Sequence, residues 1–552
     1  MPLEMLITGR IATLAGDDGF GWVEAIGIRD GRVAFAGSEV DLETRADPHT
    51  ERIVLEPDQV AIPGLTDAHL HLASAGIEAG QVDLTRAASL EAGLELVARR
   101  HAALRDPDAW LEGHGWDGDR WGGWPTAEDL ESVAPDRRIA LWAHDHHALL
   151  ASTAALRDAG VDRDTPDPAG GVIRRTADGA PEGALLETAA RLVTTRIPAA
   201  GRAEVEAGIA TVAREMLALG LVACHDPGRL SPDPDLAWSF PAYAALADAG
   251  RLPVRVHACL RDDALATAVE RGIRSGHPLG QDPASRARVG WLKLFADGSL
   301  GSRTAALLAD YEDEPARPLD AARRRGVWMT EPSEIAALVG RAVRAGIVSQ
   351  IHAIGDAAAR VALEALEAVA GFGGGSGMMP RLEHVQLLDP EDVPRFASAG
   401  IAASVQPVHL RADVEQARRA WGERAERSGY PLASIASLGG VLPFGTDAPV
   451  ESIDPWPGIA IAVTRRDGSW PAGSAAFRPA EALTLERALR SACVDPAVSA
   501  GETDRGRLTV GQRADVLVIP AAAIDEPVEP GGPLATARPE LVLVDGEVVF
   551  ER

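Results

Sequence analysis

Two histidines one residue apart, His69 and His71, follow the apolar run "VAIPGLTDA" (60–68). In an extended strand, residues i and i+2 project to the same side, so both imidazoles can reach one ion. An isolated pair of this kind is as often two surface histidines in a turn. Other ligand types stand near the ends of other apolar runs: Lys293 in "WLKLFADG", His352 in "QIHAIGD", His384 in "RLEHVQ" and Asp447 in "FGTDAP". Each alone reads as a satisfied polar group in a core. Together with the paired histidines they read as a divalent metal centre, provided something brings the run ends to one place. The three cysteines, Cys224, Cys259 and Cys493, are too far apart for a Cys-based zinc site or a disulfide framework. Any metal then falls to His, Asp, Glu or Lys. Such ligands suit zinc, and manganese, iron, cobalt and nickel can occupy similar sites.

A parallel barrel would supply the convergence. Short apolar runs recur at 60–72, 221–226, 254–260, 289–298, 347–356, 380–386, 401–407 and 441–449. Ala/Leu/Arg-rich stretches with helical apolar spacing lie between them, as at 334–346 and 357–371. Strands alternating with helices predict an α/β protein with a (β/α)8 TIM-like barrel, whose strands deliver their C-terminal ends to one face. A doubly wound open sheet is the alternative, but it more often carries a Gly-rich phosphate loop after its first strand, and none is seen. About 150 residues separate the first two runs, far beyond an ordinary βα connection. They hold strand-like runs at 109–117 and 138–150 and the tryptophans Trp110, Trp116, Trp121, Trp124 and Trp142. We read 75–218 as a subdomain inserted over the active-site face. "GFGGGSGMMP" (371–380) reads as a loop.

Both ends of the chain are β-rich. Asp30-Gly31 and Asp545-Gly546 each sit between apolar runs, the signature of a tight hairpin. Two half-sheets that cannot bury their apolar faces alone predict one small β-sandwich, built from 1–60 and 505–552, beside a barrel domain over 61–504. The 552 residues are 46% hydrophobic and 24% charged, ordinary for a globular protein. The formal net charge of −27 disfavours nucleic acid and anionic membranes as partners, and otherwise reads as solubility; it does not indicate the substrate, which is expected to be a small molecule from the chemistry of the candidate centre. No membrane-spanning run or signal peptide is seen, so the cytoplasm is the expected compartment.

The run "AIPGLTDAHLHL", followed by Lys, His, His and a late Asp in this strand order, resembles the amidohydrolase superfamily. The segments "GWD" (115–117), "LKLFADGSLGSRTAAL" (292–307), "HAIGDAA" (352–358), "RLEHVQ" (381–386) and "GTDAPV" (445–450) resemble its YtcJ-like branch, also called amidohydrolase family 3, which includes N-substituted formamide deformylases. The resemblance covers nearly the whole chain, "GRLTVGQRADVLVI" (506–519) included. It implies that His69, His71 and Asp447 bind the more buried of two metals, that His352 and His384 bind the second, and that Lys293 bridges both as a carboxylated lysine. A free ammonium has no lone pair for a cation, whereas an amine that captures carbon dioxide becomes an anionic carbamate with two oxygens. An unmodified Lys293 beside one metal, or in a salt bridge to Asp297, is the alternative. The resemblance also implies one or two zinc ions per chain and a homodimer.

The expected reaction is hydrolysis of an amide-like C–N bond, on an N-substituted formamide or N-acyl compound. Water is activated by the metal, and Asp447 takes its proton and passes it to the leaving nitrogen. Trp116, Asp117, His146, Arg303 and His409 are candidate substrate contacts; an ordinary salt bridge accounts for Arg303 equally well. His225 reads as a residue that supports the ligands. Two alternatives keep the barrel. One is ring deamination, or lactone or ester hydrolysis, although the Glu that ring deaminases carry shortly after the strand-five histidine is missing after His352. The other is a metal-binding scaffold without activity, against which the complete ligand set argues.

Overall fold

The protein is described from a computed structural model covering residues 3–16, 18–43, 45–228, 239–313, 324–370 and 375–552. The first four residues of the 371–380 loop lie outside these. Seven parallel strands form the central sheet: β1 (Leu65–Asp67), β2 (Leu221–Asp226), β3 (Arg255–Arg261), β4 (Ala287–Phe295), β5 (Ser349–Ala353), β6 (Arg381–His384) and β7 (Ala402–Ser404). They pair in chain order, as successive right-handed βα units require. The segment 441–447 bridges the two edges of this sheet. Ala403 N and Val405 N donate to the carbonyls of Val441 and Pro443 at 2.9 and 3.0 Å, and Ala68 N donates to the Phe444 carbonyl at 2.8 Å. The arrangement is that of a TIM-like barrel.

The helices around it follow the sequence pattern. Pro332–Arg344 starts on a proline, carries Arg341 and Arg344 in its last turn, and buries Ile335, Val339 and Ala342 on one stripe. Asp356–Glu367 buries Ala358, Ala359, Ala362, Leu363 and Leu366. Their apolar faces join one large cluster with the strands, where burying each Val, Leu or Ile contributes about 1.5–3 kcal/mol. Leu72–Glu78 packs on Arg202–Ala218 through Gly76 and Gly208. A Cβ on Gly76 would stand 2.5 Å from the Gly208 backbone carbon, so the contact requires glycine.

The run at 60–72, read from sequence as one strand, is divided in the structure. Gln59–Pro63 belongs to a second sheet, and Leu65–Asp67 is β1. Gly64 is the divide, where a Cβ would meet Val222 at 2.6 Å. That second sheet has eight strands and takes them from both ends of the chain. Gln59–Pro63 pairs antiparallel with Val516–Pro520 over five residues. Its two hairpins turn at Asp30-Gly31 (φ 53° and 69°) and Asp545-Gly546 (φ 52° and 76°), the left-handed pair a two-residue turn demands. A third sheet of six strands is built wholly from residues between Val82 and Glu187. Among the described residues no helix is long and apolar enough to cross a membrane.

Candidate metal centre

β1 ends at Asp67, and the chain turns outward at once into His69 and His71. Asp67 holds this turn: its carboxylate accepts from His69 N at 3.0 Å and from Thr446 N and Oγ1 at 3.1 and 2.6 Å. The backbone of 445–448 runs alongside. Asp447 N donates to the His69 carbonyl at 2.7 Å, and His71 N to the Ala448 carbonyl at 2.9 Å. Two distant segments are thus zipped together, and Asp447, in the left-handed region (φ 61°), turns its carboxylate onto the histidines.

That carboxylate is where four imidazoles meet. His69 Nε2 and His71 Nε2 lie 3.3 and 3.4 Å from Oδ1. His384 Nδ1, at the end of β6, and His409 Nε2, just after β7, lie 3.8 and 3.4 Å from Oδ2. All five side chains are buried. Two triads, His69–His71–Asp447 and His384–His409–Asp447, each place three ligand atoms within 4.8 Å of one another, close enough for one cation. His352, at the end of β5, is not in either triad. Its ring centroid lies 4.4 Å from that of His384.

Hydrogen bonds fix which nitrogen of each ring is free. A carbonyl or carboxylate can only accept. His69 Nδ1 therefore donates to Glu383 (2.5 Å), His71 Nδ1 to the Gly228 carbonyl (2.8 Å) and His352 Nε2 to the Gly298 carbonyl (3.0 Å). The opposite nitrogens, His69 Nε2, His71 Nε2 and His352 Nδ1, keep their lone pairs. His69 Nε2, His384 Nδ1, His409 Nε2 and Lys293 Nζ are buried with no hydrogen-bond partner. Buried polar atoms are normally satisfied. The unpartnered His69 Nε2 and His384 Nδ1 beside one carboxylate fit a divalent cation bound by N and O ligands, whereas His409, which Asp447 raises to about 9 against the effect of burial, turns a proton toward Oδ2. Burial pushes His69 down to about 4, which keeps it neutral and able to ligate. Burial alone would raise Asp447, but His69, His409 and His71 outweigh it and hold it well below the usual carboxylate range.

Lys293, on β4, is 1% exposed, and burial pulls its amine down to about 8. A salt bridge to Asp297, one reading of the sequence, is not formed among the described residues. Asp297 instead accepts from Ala306 N, Ile354 N and Gly355 N at 2.8–3.0 Å, tying the loops after β4 and β5 together.

Above these residues opens a cleft of about 1120 Å³, its solvent-open mouth included, walled by barrel loops and by the 82–187 sheet region. Trp116, Asp117, His146 and His409 all line it. Trp116 is anchored by its indole N–H on the Leu141 carbonyl (2.9 Å), and Trp124 packs edge-on at 5.2 Å. Asp117 caps its own loop, accepting from Asp119 N and Arg120 N. His146 (φ 56°) is sandwiched between His114 and Trp142, with Nε2 3.8 Å from Glu78. Arg303 points elsewhere. Its guanidinium forks onto Asp313 (Nη2 2.7 Å, Nε 3.1 Å) and onto the Leu300 carbonyl. Replacing Arg303 by Met is therefore expected to lower the melting temperature and to change kcat/KM by less than about fivefold. A hundredfold loss at unchanged melting temperature would put the guanidinium on the substrate instead.

Two carboxylates not expected from the sequence also position the site. One is Glu383, on His69 Nδ1. Glu187, in a left-handed backbone conformation (φ 53°), takes His147 Nδ1 at 2.8 Å and Thr304 Oγ1 at 2.5 Å. Burial alone would depress His147; Glu187, Asp145 and Asp297 outweigh it and raise the imidazole to about 9. Its ring lies 5.2 Å from that of His352. Glu383 sits in the quoted "RLEH" run, where alternation on a strand could have flagged it. Nothing local in sequence links Glu187 to His147.

The family model described as "Amidohydrolase family" matches residues 58–550. A putative amidohydrolase, YtcJ, of Bacillus subtilis (strain 168) is 30% identical over 540 residues, covering 96% of each chain. An N-substituted formamide deformylase of Arthrobacter pascens is 27% identical over 560 residues, covering 99% of this chain and 98% of the relative. Among solved structures, an uncharacterized metal-dependent hydrolase from Pyrococcus furiosus superposes with a TM-score of 0.69 at 26% identity, over 93% of this chain and 98% of that one.

Proposed function

The chain belongs to the amidohydrolase family, and from that premise we propose that it is a metal-dependent hydrolase of non-peptide amide-like C–N bonds, on N-substituted formamide or N-acyl substrates. The observation that carries this reading is the meeting of four buried imidazoles on the two oxygens of Asp447. Zinc is the proposed ion, in one or two copies. His69, His71 and Asp447 would hold the first; His352 and His384 would hold the second, with Lys293, carboxylated, between them. A divalent ion there lowers the pKa of water and polarises the scissile carbonyl.

The remaining work falls to the chain's own side chains. Asp447 accepts the proton of the attacking water and delivers it to the leaving nitrogen, so that an amine departs rather than an amide anion. His409, against Oδ2, keeps the carboxylate turned toward the reacting atoms. Trp116, Asp117 and His146 bind and orient the substrate in the cavity, whose aromatic wall favours an apolar N-substituent. Residues 75–218 cover the site as an inserted subdomain. Residues 1–60 and 505–552 form a composite supporting unit, a small β-sandwich, beside the barrel of 61–504. The enzyme acts on a small molecule in the cytoplasm, as a homodimer.

The test is direct. Purified protein is expected to carry one or two divalent ions per chain and to release primary amine from a panel of N-substituted formamides and N-acyl amines. A chelator should abolish that release, and added zinc should restore it. Metal-loaded protein that releases no amine from the panel, but frees ammonia from ring amines or opens lactones, would overturn the assignment.

A further inference from the structure

At the heart of the barrel lies an ion pair with no access to solvent or substrate. Arg381 and Glu383, two apart on β6, are both 0% exposed. The strand turns His384 toward the catalytic cavity and its neighbours Arg381 and Glu383 into the barrel. Arg381 Nε donates to Glu383 Oε1 at 2.8 Å, and Nη2 reaches Oε2 at 3.2 Å. The same Nη2 donates to the Ala68 carbonyl and to Ser404 Oγ, each at 2.6 Å. Nη1 lies 2.7 Å from His225 Nδ1. A guanidinium only donates, so His225 Nδ1 is the acceptor there. The guanidinium lies over the Trp291 ring, 4.5 Å from ring centroid to Cζ. One side chain therefore grips segments of β1, β2, β6 and β7.

Stability is a poor reason to keep such a pair. Desolvating two charges costs several kcal/mol, and apolar replacements of similar volume are often neutral or stabilising. What the pair touches suggests another reason. Glu383 Oε2 holds His69 Nδ1 at 2.5 Å, and the Ala68 carbonyl held by Arg381 is the peptide oxygen immediately before His69. The ring and the backbone of one metal-facing histidine thus share a single anchor.

We propose that Arg381 and Glu383 are positioning residues for His69, fixing its tautomer and ring direction so that Nε2 faces the cation with its lone pair. The inference rests on the metal-hydrolase reading above. Glu383 keeps the proton on Nδ1, and Arg381 keeps Glu383 from rotating away. Lysine could not replace Arg381, because a single ammonium cannot span Glu383, His225 and the Ala68 carbonyl.

Two variants test it: Glu383→Gln and the double replacement Arg381→Met/Glu383→Leu. Zinc affinity is measured by competition with a chelator, and melting temperature is measured on metal-free protein. Glu383→Gln is expected to weaken zinc binding about 10–100-fold. The double variant is expected to melt below the wild-type temperature, because His225 Nδ1, the Ala68 carbonyl, Ser404 Oγ and His69 Nδ1 lose their partner, and to bind zinc as weakly. It decides the matter should Glu383→Gln fail to fold. Wild-type zinc affinity in either folded variant would make the pair merely structural and overturn the proposal. If the wild-type protein takes up no divalent ion at all, the functional reading fails, and ring-15N NMR of the metal-free protein decides this one. His69 protonated on Nδ1 in wild type, with that preference lost in the double variant, which removes the acceptor altogether, upholds it. An unchanged tautomer in the double variant overturns it.

Discussion

Asp447→Asn is expected to lower kcat on the order of 10⁴-fold, within the range for losing a general acid–base group that also supports the metal, while leaving the fold intact. Two losses coincide in that one atom exchange. The carboxamide cannot accept and return a proton. It also replaces one of two anionic oxygens with an N–H₂ group, and each oxygen serves a different pair of imidazoles: His69 and His71 on Oδ1, His384 and His409 on Oδ2. Whichever way the amide turns, one pair of histidines faces donors where a shared ligand stood. The backbone should tolerate the change. Asn adopts the left-handed conformation seen at Asp447 (φ 61°) as readily as Asp does, and the main-chain bond from Asp447 N to the His69 carbonyl does not involve the side chain. Metal content and melting temperature, measured beside turnover, separate chemistry from collapse. A folded Asp447→Asn variant with turnover within about tenfold of wild type would remove Asp447 from the reaction.

The parts of the molecule legible in sequence are those whose signal is local. Asp30-Gly31 and Asp545-Gly546 mark hairpins because only a few residue types accept two successive positive φ angles. His69, His71, Lys293, His352, His384 and Asp447 stand out because polar residues at the ends of apolar runs are rare enough to notice. The structure brings His69, His71, His384 and Asp447 to one point, with Lys293 and His352 lining the same cavity. Other features depend on pairing that no local pattern encodes. The split of 60–72 into two sheets turns on what Gly64 packs against, Val222, far along the chain. Arg303 looks like a substrate clamp in sequence because its carboxylate partner, Asp313, lies beyond an ordinary loop. His146 and His147 are indistinguishable in "HDHH" until Glu187 and Glu78 are seen to select between them. His409 reads as a pocket residue, yet its distance to Asp447 matches that of the paired histidines.

Replacing Lys293 gives a result whose sign, not only its size, discriminates between two chemistries. Lys293 Nζ is buried, makes no hydrogen bond, and feels the opposite charges of Glu383 and Asp447. If the side chain stays an unmodified amine, its proton repels a cation held by His69, His71 and Asp447, and Lys293→Met should tighten zinc binding. If it is carboxylated, the same change deletes an anionic ligand, and zinc content and turnover should both fall, by about 10²-fold or more. The second outcome is expected. Burial pulls the amine down to about 8, so roughly a tenth of it is neutral at pH 7 and able to react with carbon dioxide, and attraction to a cation would hold the carbamate in place once formed. A smaller variant, Lys293→Ala, adds a second check by leaving space for a short carboxylic acid. Acetate or propionate should then restore part of the zinc content and turnover, whereas methylamine should not. Tighter zinc binding in Lys293→Met, together with rescue of Lys293→Ala by the amine alone, would leave Lys293 as a plain cation and reduce the centre to its histidines and Asp447.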